Sequence, residues 1–375
     1  MMKHLNSTAL HVKYRALIHD SVPIVGEDSF TSLQNTINSA APEDTITLEE
    51  DYVYNTGFST DGVSITKSVT INGQGHTINA VSQSRAFTIA ADNVVLKDLS
   101  IINSGSGGAV TITGNNAVLD NVTFNSCHST GNGGAVHSTG KNTCIFNLAF
   151  IGCDSASGGA LYLGNTSTVT GSQFINCSSD NDADAIYINS VCNILYSLFD
   201  HNSAVDGGDI YLAGSPCNIF ACNFTSSHAS GNGGAVRIMN VTFTIMDCQF
   251  TSCVSQQNGG AVYMGSNSSG SIMTCTFTGD RAVNGGAVYS MGDYCPITGG
   301  IFQECIATDG GVVYANGKAN ATGSVFTNNV ADNLGGAIYN CMYSEFIFDS
   351  NTDPEIYFDE EFRQNLTMTI TASGR

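Results

Sequence analysis

Apolar and polar positions alternate along most of the chain in short runs, and these runs recur with a single phase. A unit of the type Gly-Gly-Ala-Val-Tyr returns ten times between residues 105 and 339. Nine phenylalanines lie between successive units at intervals of 24 to 27 residues. Two markers that keep the same phase predict a structural repeat of about 25 residues. The phenylalanines are Phe124, Phe150, Phe174, Phe199, Phe224, Phe250, Phe277, Phe302 and Phe326.

A repeat of this length is too short to enclose a core of its own and must stack on copies of itself. The chain has no six-residue apolar period, no leucine frame and no Trp-Asp signature, which disfavours left-handed hexapeptide helices, leucine-rich repeats and propellers. The pattern therefore predicts an all-β fold, a right-handed parallel β-helix with one coil per repeat.

Alternation within the unit predicts which side chains face outward. The aliphatic residue after Ala and the residue after Tyr share a parity, as in Leu161 and Leu163, and are expected inside. The Ala and Tyr positions are then expected outside. This predicts a tyrosine stripe made of Tyr162, Tyr187, Tyr211, Tyr263, Tyr289, Tyr314 and Tyr339.

The two ends of the repeat region differ from its body. Asp28, Ser29 and Phe30, followed by Leu33 and Ile37, predict a short capped helix that covers the open end of the solenoid. We expect a poorly ordered segment over 1–27, the capping helix over 28–43, the β-helix over 44–348, and an acidic cap or linker over 349–375.

Charge and composition exclude several classes of partner. The chain has 12 Lys and Arg against 32 Asp and Glu, for a net charge of -20, so nucleic acids and anionic membranes are repelled. No run approaches the roughly 20 apolar residues of a membrane-spanning helix. The first residues contain no recognisable export signal, because Lys, His and Arg interrupt them.

The 13 cysteines recur in columns, such as Cys127, Cys153 and Cys177. Zinc sites use closely spaced cysteine pairs, and none occurs here. Two interpretations stay open. Free cysteine is often a small buried hydrophobe, and neighbouring coils lie at a spacing that a disulfide tolerates.

Acidic residues interrupt the glycine unit in two consecutive coils, where stacked carboxylates repel each other unless a cation lies among them. The sequence therefore raises the hypothesis of a Ca²⁺ site, against a solvated acidic turn; no other cofactor is expected. The predicted calcium ligands are Asp180, Asp182, Asp184, Asp206 and Asp209.

The tyrosine stripe also has two interpretations. Aromatic rings along a flat strand face are suited to stack on successive sugars, with hydroxyl groups available for hydrogen bonds. Tyrosine is equally a good strand former that packs well against itself on neighbouring strands. The seven tyrosines are therefore candidate ligand-binding residues with a structural alternative.

The pairing of Gly-Gly-Ala-(Val/Ile/Leu) with a Phe-x-x-Asn element resembles the repeat of polymorphic outer-membrane proteins. Asn202 and Asn329 match the second element, whereas cysteine replaces asparagine in five coils. The runs FTSLQNTINSAAPEDTITLEEDYVY and SITKSVTINGQGHTINA are similar to the β-helix domain of adhesin-like surface proteins of methanogenic archaea. The resemblance implies a secreted or cell-surface protein whose partners are glycans or cell-surface proteins.

Two functions follow from these patterns. The first is a non-catalytic, adhesin-like protein that binds through its strand faces, with no catalytic residue. The alternative is a polysaccharide lyase or glycoside hydrolase of the pectin lyase-like fold, an argument from fold analogy. Four basic residues between 104 and 342 are too few to neutralise a polyuronate substrate. The Asp182 and Asp206 pair leaves a hydrolase open.

Overall fold

The chain folds as a right-handed parallel β-solenoid of about 12 turns with one short N-terminal helix, which confirms the predicted fold class. The computed structural model describes residues 28–183, 185–292, 294–316, 319–344, 347–349, 351 and 356–358. The predicted segments 1–27 and most of 349–375 lie outside the described residues. Among the described residues, no helix is long and apolar enough to cross a membrane.

One face of the solenoid, which we call the tyrosine face, is a sheet of thirteen parallel strands stacked in sequence order. Each strand holds two or three residues, because the chain turns again immediately after it. The strands are Val63–Ile65, Phe87–Ile89, Val110–Ile112, Val136–Ser138, Leu161–Leu163, Ile186–Ile188, Ile210–Leu212, Val236–Ile238, Val262–Met264, Val288–Ser290, Val313–Ala315, Ile338–Tyr339 and Ile356–Tyr357.

The rest of the wall is a 25-stranded parallel sheet made of two ladders that share the long strands Val95–Ile102 and Val118–Asn125. The ladder that follows the tyrosine face comprises Thr45–Thr47, Thr70–Asn72, Thr143–Phe146, Ser167–Thr170, Cys192–Leu195, Cys217–Phe220, Thr242–Met246, Ser269–Met273, Cys295–Thr298, Ala319–Thr322 and Met342–Ser344. The other ladder, which we call the phenylalanine face, comprises Asp28–Ser29, Tyr52–Val53, Thr77–Asn79, Ala149–Ile151, Gln173–Ile175, Leu198–Asp200, Asn223–Thr225, Gln249–Thr251, Thr276–Thr278, Ile301–Gln303, Val325–Thr327 and Ile347–Asp349.

Short strands also pair at the corner that leads back to the tyrosine face. They are Asp154–Ser155, Ser178–Ser179, Ser203–Ala204, His228–Ala229 and Val254–Ser255 in one sheet, and Ile306–Asp309 and Val330–Leu334 in another.

Stacked phenylalanines fill the interior. All nine repeat phenylalanines are fully buried. Their ring centroids are 4.6 to 5.2 Å apart from coil to coil, with nearly parallel planes. This distance is close to the spacing of neighbouring strands, about 4.8 Å, so in-register pairing itself produces the stack.

The glycine pair makes the turn that precedes each strand of the tyrosine face. Gly133 has a φ of 67°, which favours glycine. A Cβ on Gly134 would lie 2.2 Å from the carbonyl oxygen of Gly159 in the next coil. The first glycine is thus required by backbone conformation and the second by close contact between coils.

The alanine of the unit faces inward, so its predicted outward position is wrong. Ala135 and Ala160 are completely buried. The backbone N–H groups of Ala135 and Val136 both donate to the carbonyl oxygen of Ala160. Because two successive residues share one acceptor, the chain bends there and both side chains point inside. Regular alternation begins only at Val136.

The predicted N-terminal helix spans Phe30–Ser39, and the Ser29 hydroxyl accepts a hydrogen bond from the N–H of Ser32 at its first turn. Phe30, Leu33 and Ile37 are buried. The Gln34 side chain accepts from the Ser64 N–H at 2.7 Å and donates to the Ser64 carbonyl at 3.0 Å. Gln34 therefore satisfies the free edge of the first strand of the tyrosine face as a neighbouring strand would.

Twelve of the thirteen cysteines are buried, and Cys144 is the exception. Burial raises the pKa of the Cys127 and Cys153 thiols well above the ordinary value, and that of Cys295 to about 12. Neutral, buried thiols of this kind behave as small hydrophobes. The structure thus agrees with the first of the two interpretations of the cysteine columns.

Candidate functional site

The outward side chains of the tyrosine face form one straight column, which we call the outer column. Register pairing aligns its members one above another through thirteen coils. In chain order they are Ser64, Thr88, Thr111, His137, Tyr162, Tyr187, Tyr211, Arg237, Tyr263, Tyr289, Tyr314, Tyr339 and Tyr357. All seven tyrosines predicted to form a stripe lie in this column.

The tyrosine rings stack face to face. Within the runs Tyr162 to Tyr211 and Tyr263 to Tyr339, centroids are 4.3 to 5.4 Å apart and planes lie within 12° of each other. Each ring face is therefore covered by the next ring. What the column presents to solvent is ring edges and hydroxyl groups. The stacking of sugars on open ring faces, which the sequence predicted, has no free face within these runs.

Arg237 interrupts the column between Tyr211 and Tyr263. Its guanidinium carbon lies 5.1 Å from the centroid of the Tyr211 ring and 5.9 Å from that of Tyr263, so it continues the stack through cation–π contacts. Only 17% of its side chain is exposed. Sequence reasoning missed Arg237, although the unit GNGGAVR places arginine where other coils carry tyrosine.

Two carboxylates from the preceding coils neutralise Arg237. Its Nη1 lies 3.7 Å from Asp182 Oδ1 and forms a closer ion pair with Asp206 Oδ2. Asp206 also accepts a hydrogen bond from the Asn232 N–H at 2.6 Å. We call Asp182, Asp206 and Arg237, with the adjoining rings of Tyr211 and Tyr263, the arginine cluster.

Burial dominates the electrostatics of the arginine cluster. It raises the pKa of Asp182, against the opposing effect of Arg237, and the neighbouring charge of Asp206 raises that pKa further. Burial also raises the pKa of Tyr211 and Tyr263. Both phenols therefore remain protonated at neutral pH and can donate hydrogen bonds.

The four described aspartates of the predicted Ca²⁺ site, Asp180, Asp182, Asp206 and Asp209, do not converge on one point. Asp182 and Asp206 meet, but Arg237 occupies the position predicted for the cation. Asp180 is exposed, and Asp184 lies outside the described residues. Among the residues that the structure describes, no group of three or more His, Cys, Asp or Glu side chains is arranged to hold a metal ion.

Asp209 is the clearest departure from the predicted calcium site, because its side chain is completely buried. It accepts hydrogen bonds from Asn202 Nδ2 at 2.7 Å and from the Ser227 hydroxyl. Burial raises its pKa to about 8. A carboxyl group that is neutral at pH 7 is a poor calcium ligand, since Ca²⁺ binds ionised carboxylates.

His137 occupies the outer column just before the tyrosines. Its ring packs edge-on against Tyr162, with centroids 5.0 Å apart. Burial lowers its pKa, and the nearby charge of Arg85 lowers it further. A neutral imidazole therefore connects the polar first coils to the tyrosine run.

No protein-family model and no curated protein matches the chain. Similar solved structures include a PL6 alginate lyase complex with a trisaccharide, with 13% identity and a TM-score of 0.43 over 91% of this chain and 89% of that one. The A-module of the mannuronan C-5 epimerase AlgE4 of Azotobacter vinelandii is 12% identical, with a TM-score of 0.49 over 90% of this chain and 98% of that one. Tailspike protein 3 of bacteriophage CBA120 is 13% identical, with a TM-score of 0.49 over 93% of this chain and 62% of that one. Similarity at this level assigns no activity to this chain.

Proposed function

We propose that this is an extracellular, non-catalytic protein that binds glycans, or the glycan part of a cell-surface partner, along the outer column. The observation that carries the proposal is the column itself, in which seven of the eight successive coils from Tyr162 to Tyr339 carry a tyrosine and the eighth carries Arg237. The relationship to adhesin-like surface proteins of methanogenic archaea, which the repeats resemble, belongs to the same proposal.

The column contacts a sugar chain through edges rather than ring faces. A protonated phenol both donates and accepts hydrogen bonds, as sugar hydroxyl groups do. The stack also fixes each ring against its neighbours, so little side-chain entropy is lost on binding. A glycan lying along the column would meet the same groups at each successive coil.

Charge favours a neutral glycan over a polyuronate. Arg237 is already paired with Asp182 and Asp206. The chain as a whole carries a net charge of -20. A chain of uronate carboxylates would therefore be repelled at long range and would find no unpaired cation at the arginine cluster.

The test is affinity electrophoresis in gels containing neutral mannan, β-glucan or galactan, or the acidic polymers alginate and polygalacturonate. We expect retardation by at least one neutral polymer. The triple variant Tyr187→Phe, Tyr211→Phe, Tyr263→Phe keeps the ring stack but loses three hydroxyls, and binding should weaken about tenfold.

The matched control is Tyr196→Phe with Tyr294→Phe, because these tyrosines are 58% and 55% exposed and lie outside the outer column. This double variant should bind the polymers as strongly as the unaltered protein does. Equal binding by the triple variant, or binding to acidic polymers alone, would exclude the outer column as a neutral-glycan surface.

A polysaccharide-degrading enzyme is the second candidate, and one observation favours it. Asp182 and Asp206 lie opposite each other in neighbouring coils, and the pKa of Asp182 is raised. A protonated and an ionised carboxyl group on one face is the arrangement that glycoside hydrolases use. Release of reducing ends from the same polymers, lost in Asp182→Asn and in Asp206→Asn, would replace the binding proposal. Unsaturated products would indicate a lyase instead.

A further inference from the structure

A cavity of about 620 Å³ opens at the N-terminal end of the outer column, and both apolar and polar groups line it. Ser64, Thr88 and Thr111, the first three members of the column, line it. The next member of the column is His137, which pairs in register with Thr111. The cavity is therefore continuous with the surface that leads to the tyrosines, and its volume is within the range of small-molecule sites.

An arginine and an aspartate form the polar wall of this cavity. Arg85 Nη1 donates to Asp61 Oδ1 at 2.8 Å, and Arg85 Nε donates to the Gly107 carbonyl at 2.8 Å. A Cβ on Gly107 would lie 2.9 Å from Arg85 Nε, so glycine leaves room for the guanidinium to lie against the backbone. The arginine is fixed at both points, while 75% of the Asp61 side chain is exposed.

Phe58 forms an apolar wall on the same cavity. Its ring packs edge-on against Phe30 of the N-terminal helix, with centroids 5.9 Å apart. The Thr88 hydroxyl donates to the Asp61 carbonyl at 2.6 Å and so ties the loop that carries Asp61 to the column. The cavity thus combines an aromatic ring, a fixed guanidinium, an exposed carboxylate and hydroxyl groups.

We propose that this cavity binds the terminal neutral sugar ring of a glycan whose following residues lie on the outer column. This inference rests on the proposed function. Adjacent sugar hydroxyls accept from a guanidinium and donate to a carboxylate, and the apolar face of a sugar ring packs on an aromatic side chain. Because Arg85 is already paired and Asp61 is exposed, a uronate carboxylate would meet a like charge.

The test is saturation-transfer NMR with the methyl glycosides of glucose, galactose, mannose and glucuronic acid. At least one neutral glycoside should bind, and the glucuronide should bind about tenfold more weakly or not at all. Arg85→Gln should weaken binding of the neutral glycoside about tenfold. Arg281→Gln, which alters an exposed arginine of a distant coil, is the matched control and should bind normally.

Thr111→Val is a second cavity variant, chosen in case Arg85→Gln disturbs the fold, because it removes one hydroxyl and keeps the strand-forming shape. This variant should weaken binding of the neutral glycoside about threefold or more. Absence of binding by every neutral glycoside, preference for the glucuronide, or unchanged affinity in Thr111→Val and in correctly folded Arg85→Gln would overturn the inference.

The two proposals fail in different ways. Polymer retardation without any binding of methyl glycosides would leave the outer column as a glycan surface and remove the cavity. Glycoside binding without polymer retardation would leave the cavity as a sugar site and remove the outer column as a glycan surface. The triple tyrosine variant should lose polymer affinity and keep glycoside affinity, because none of its three residues lines the cavity.

Discussion

The interior phenylalanine stack and the exterior tyrosine stack have almost the same geometry but differ in how far the residue type varies from coil to coil. Ring centroids are 4.6 to 5.2 Å apart inside and 4.3 to 5.4 Å apart outside. Every coil from Phe124 to Phe326 keeps phenylalanine inside. The outer column contains threonine, histidine and arginine as well.

The difference follows from what each stack must satisfy. An interior position must fill a fixed volume without leaving a polar group unpaired, so one residue type serves all coils. An outer position needs only to form a strand, and solvent tolerates several residue types there. Chemistry is therefore to be sought where the outer column changes residue type, at Arg237 and in the coils before Tyr162.

Truncation of an interior ring should have the largest effect on stability. Phe224→Ala removes a fully buried ring between Phe199 and Phe250, and should lower the free energy of unfolding by about 3 to 5 kcal/mol. Tyr263→Ala, in the half-buried outer column, should cost about 1 kcal/mol. Guanidinium chloride unfolding of both variants measures the difference. Equal losses would mean that the outer stack also supports the fold.

Inside the solenoid, the third residue after each phenylalanine closes a corner of the coil. Asn202 accepts from the Cys177 N–H at 2.8 Å and donates to the Phe174 carbonyl at 3.1 Å. Asp280 holds the same position after Phe277, the seventh phenylalanine of the stack. Its Oδ1 accepts from the Cys253 N–H at 2.8 Å, but its buried Oδ2 has no hydrogen-bond partner.

Asp280 should make the fold sensitive to alkaline pH. Burial raises its pKa to about 8, above an unfolded value of about 4. The folded chain therefore retains a proton that the unfolded chain loses, and the free energy of unfolding should fall as pH rises from about 4 to about 8. Asp209, with a pKa also raised to about 8, acts in the same direction.

Asp280→Asn supplies the donor that Asn202 already has and should remove part of this pH dependence. At pH 9 the variant should be more stable than the unaltered protein by about 2 kcal/mol or more. Urea unfolding at pH 5, 7 and 9 measures the slope. Asp332→Asn, which alters an exposed carboxyl group of the strand Val330–Leu334, is the control and should leave the slope unchanged. Parallel profiles for Asp280→Asn would show that its carboxyl is ionised inside.

Replacement of Arg237 should have a smaller, opposite dependence on pH. Arg237→Met leaves Asp182 and Asp206 without their shared cation, and should cost about 1 to 2 kcal/mol at pH 7. The cost should shrink at acid pH, because burial raises the pKa of Asp182 and that carboxyl group then takes up a proton. Adding Asp182→Asn and Asp206→Asn should restore stability at pH 7. A loss that is independent of pH would mean that Arg237 stabilises through packing alone.

The repeat predicted the fold well, because in a solenoid each repeat of the sequence forms one coil and stacks on the coil before it. The position of the alanine was not predicted, since two N–H groups that share one carbonyl bend the chain and break the alternation just there. That error also explains Asp209. It occupies the alanine position of its coil, so it faces inward, whereas the sequence placed it outside with Asp182 and Asp206. The sequence period also does not predict that Asp182 and Asp206 pair with Arg237, or that a cavity lies beside Arg85. Each of these arrangements joins side chains from different coils.

Removal of a single hydroxyl from the outer column should have the smallest effect on the fold. Tyr263→Phe keeps the ring between Arg237 and Tyr289, and should change the free energy of unfolding by less than about 0.5 kcal/mol. If the column binds glycans, the same change should weaken retardation by a neutral polymer about two- to threefold. Tyr294→Phe, exposed and outside the column, should alter neither quantity. Weakened binding at constant stability would separate the outer stack, as a binding surface, from the interior stack that maintains the fold.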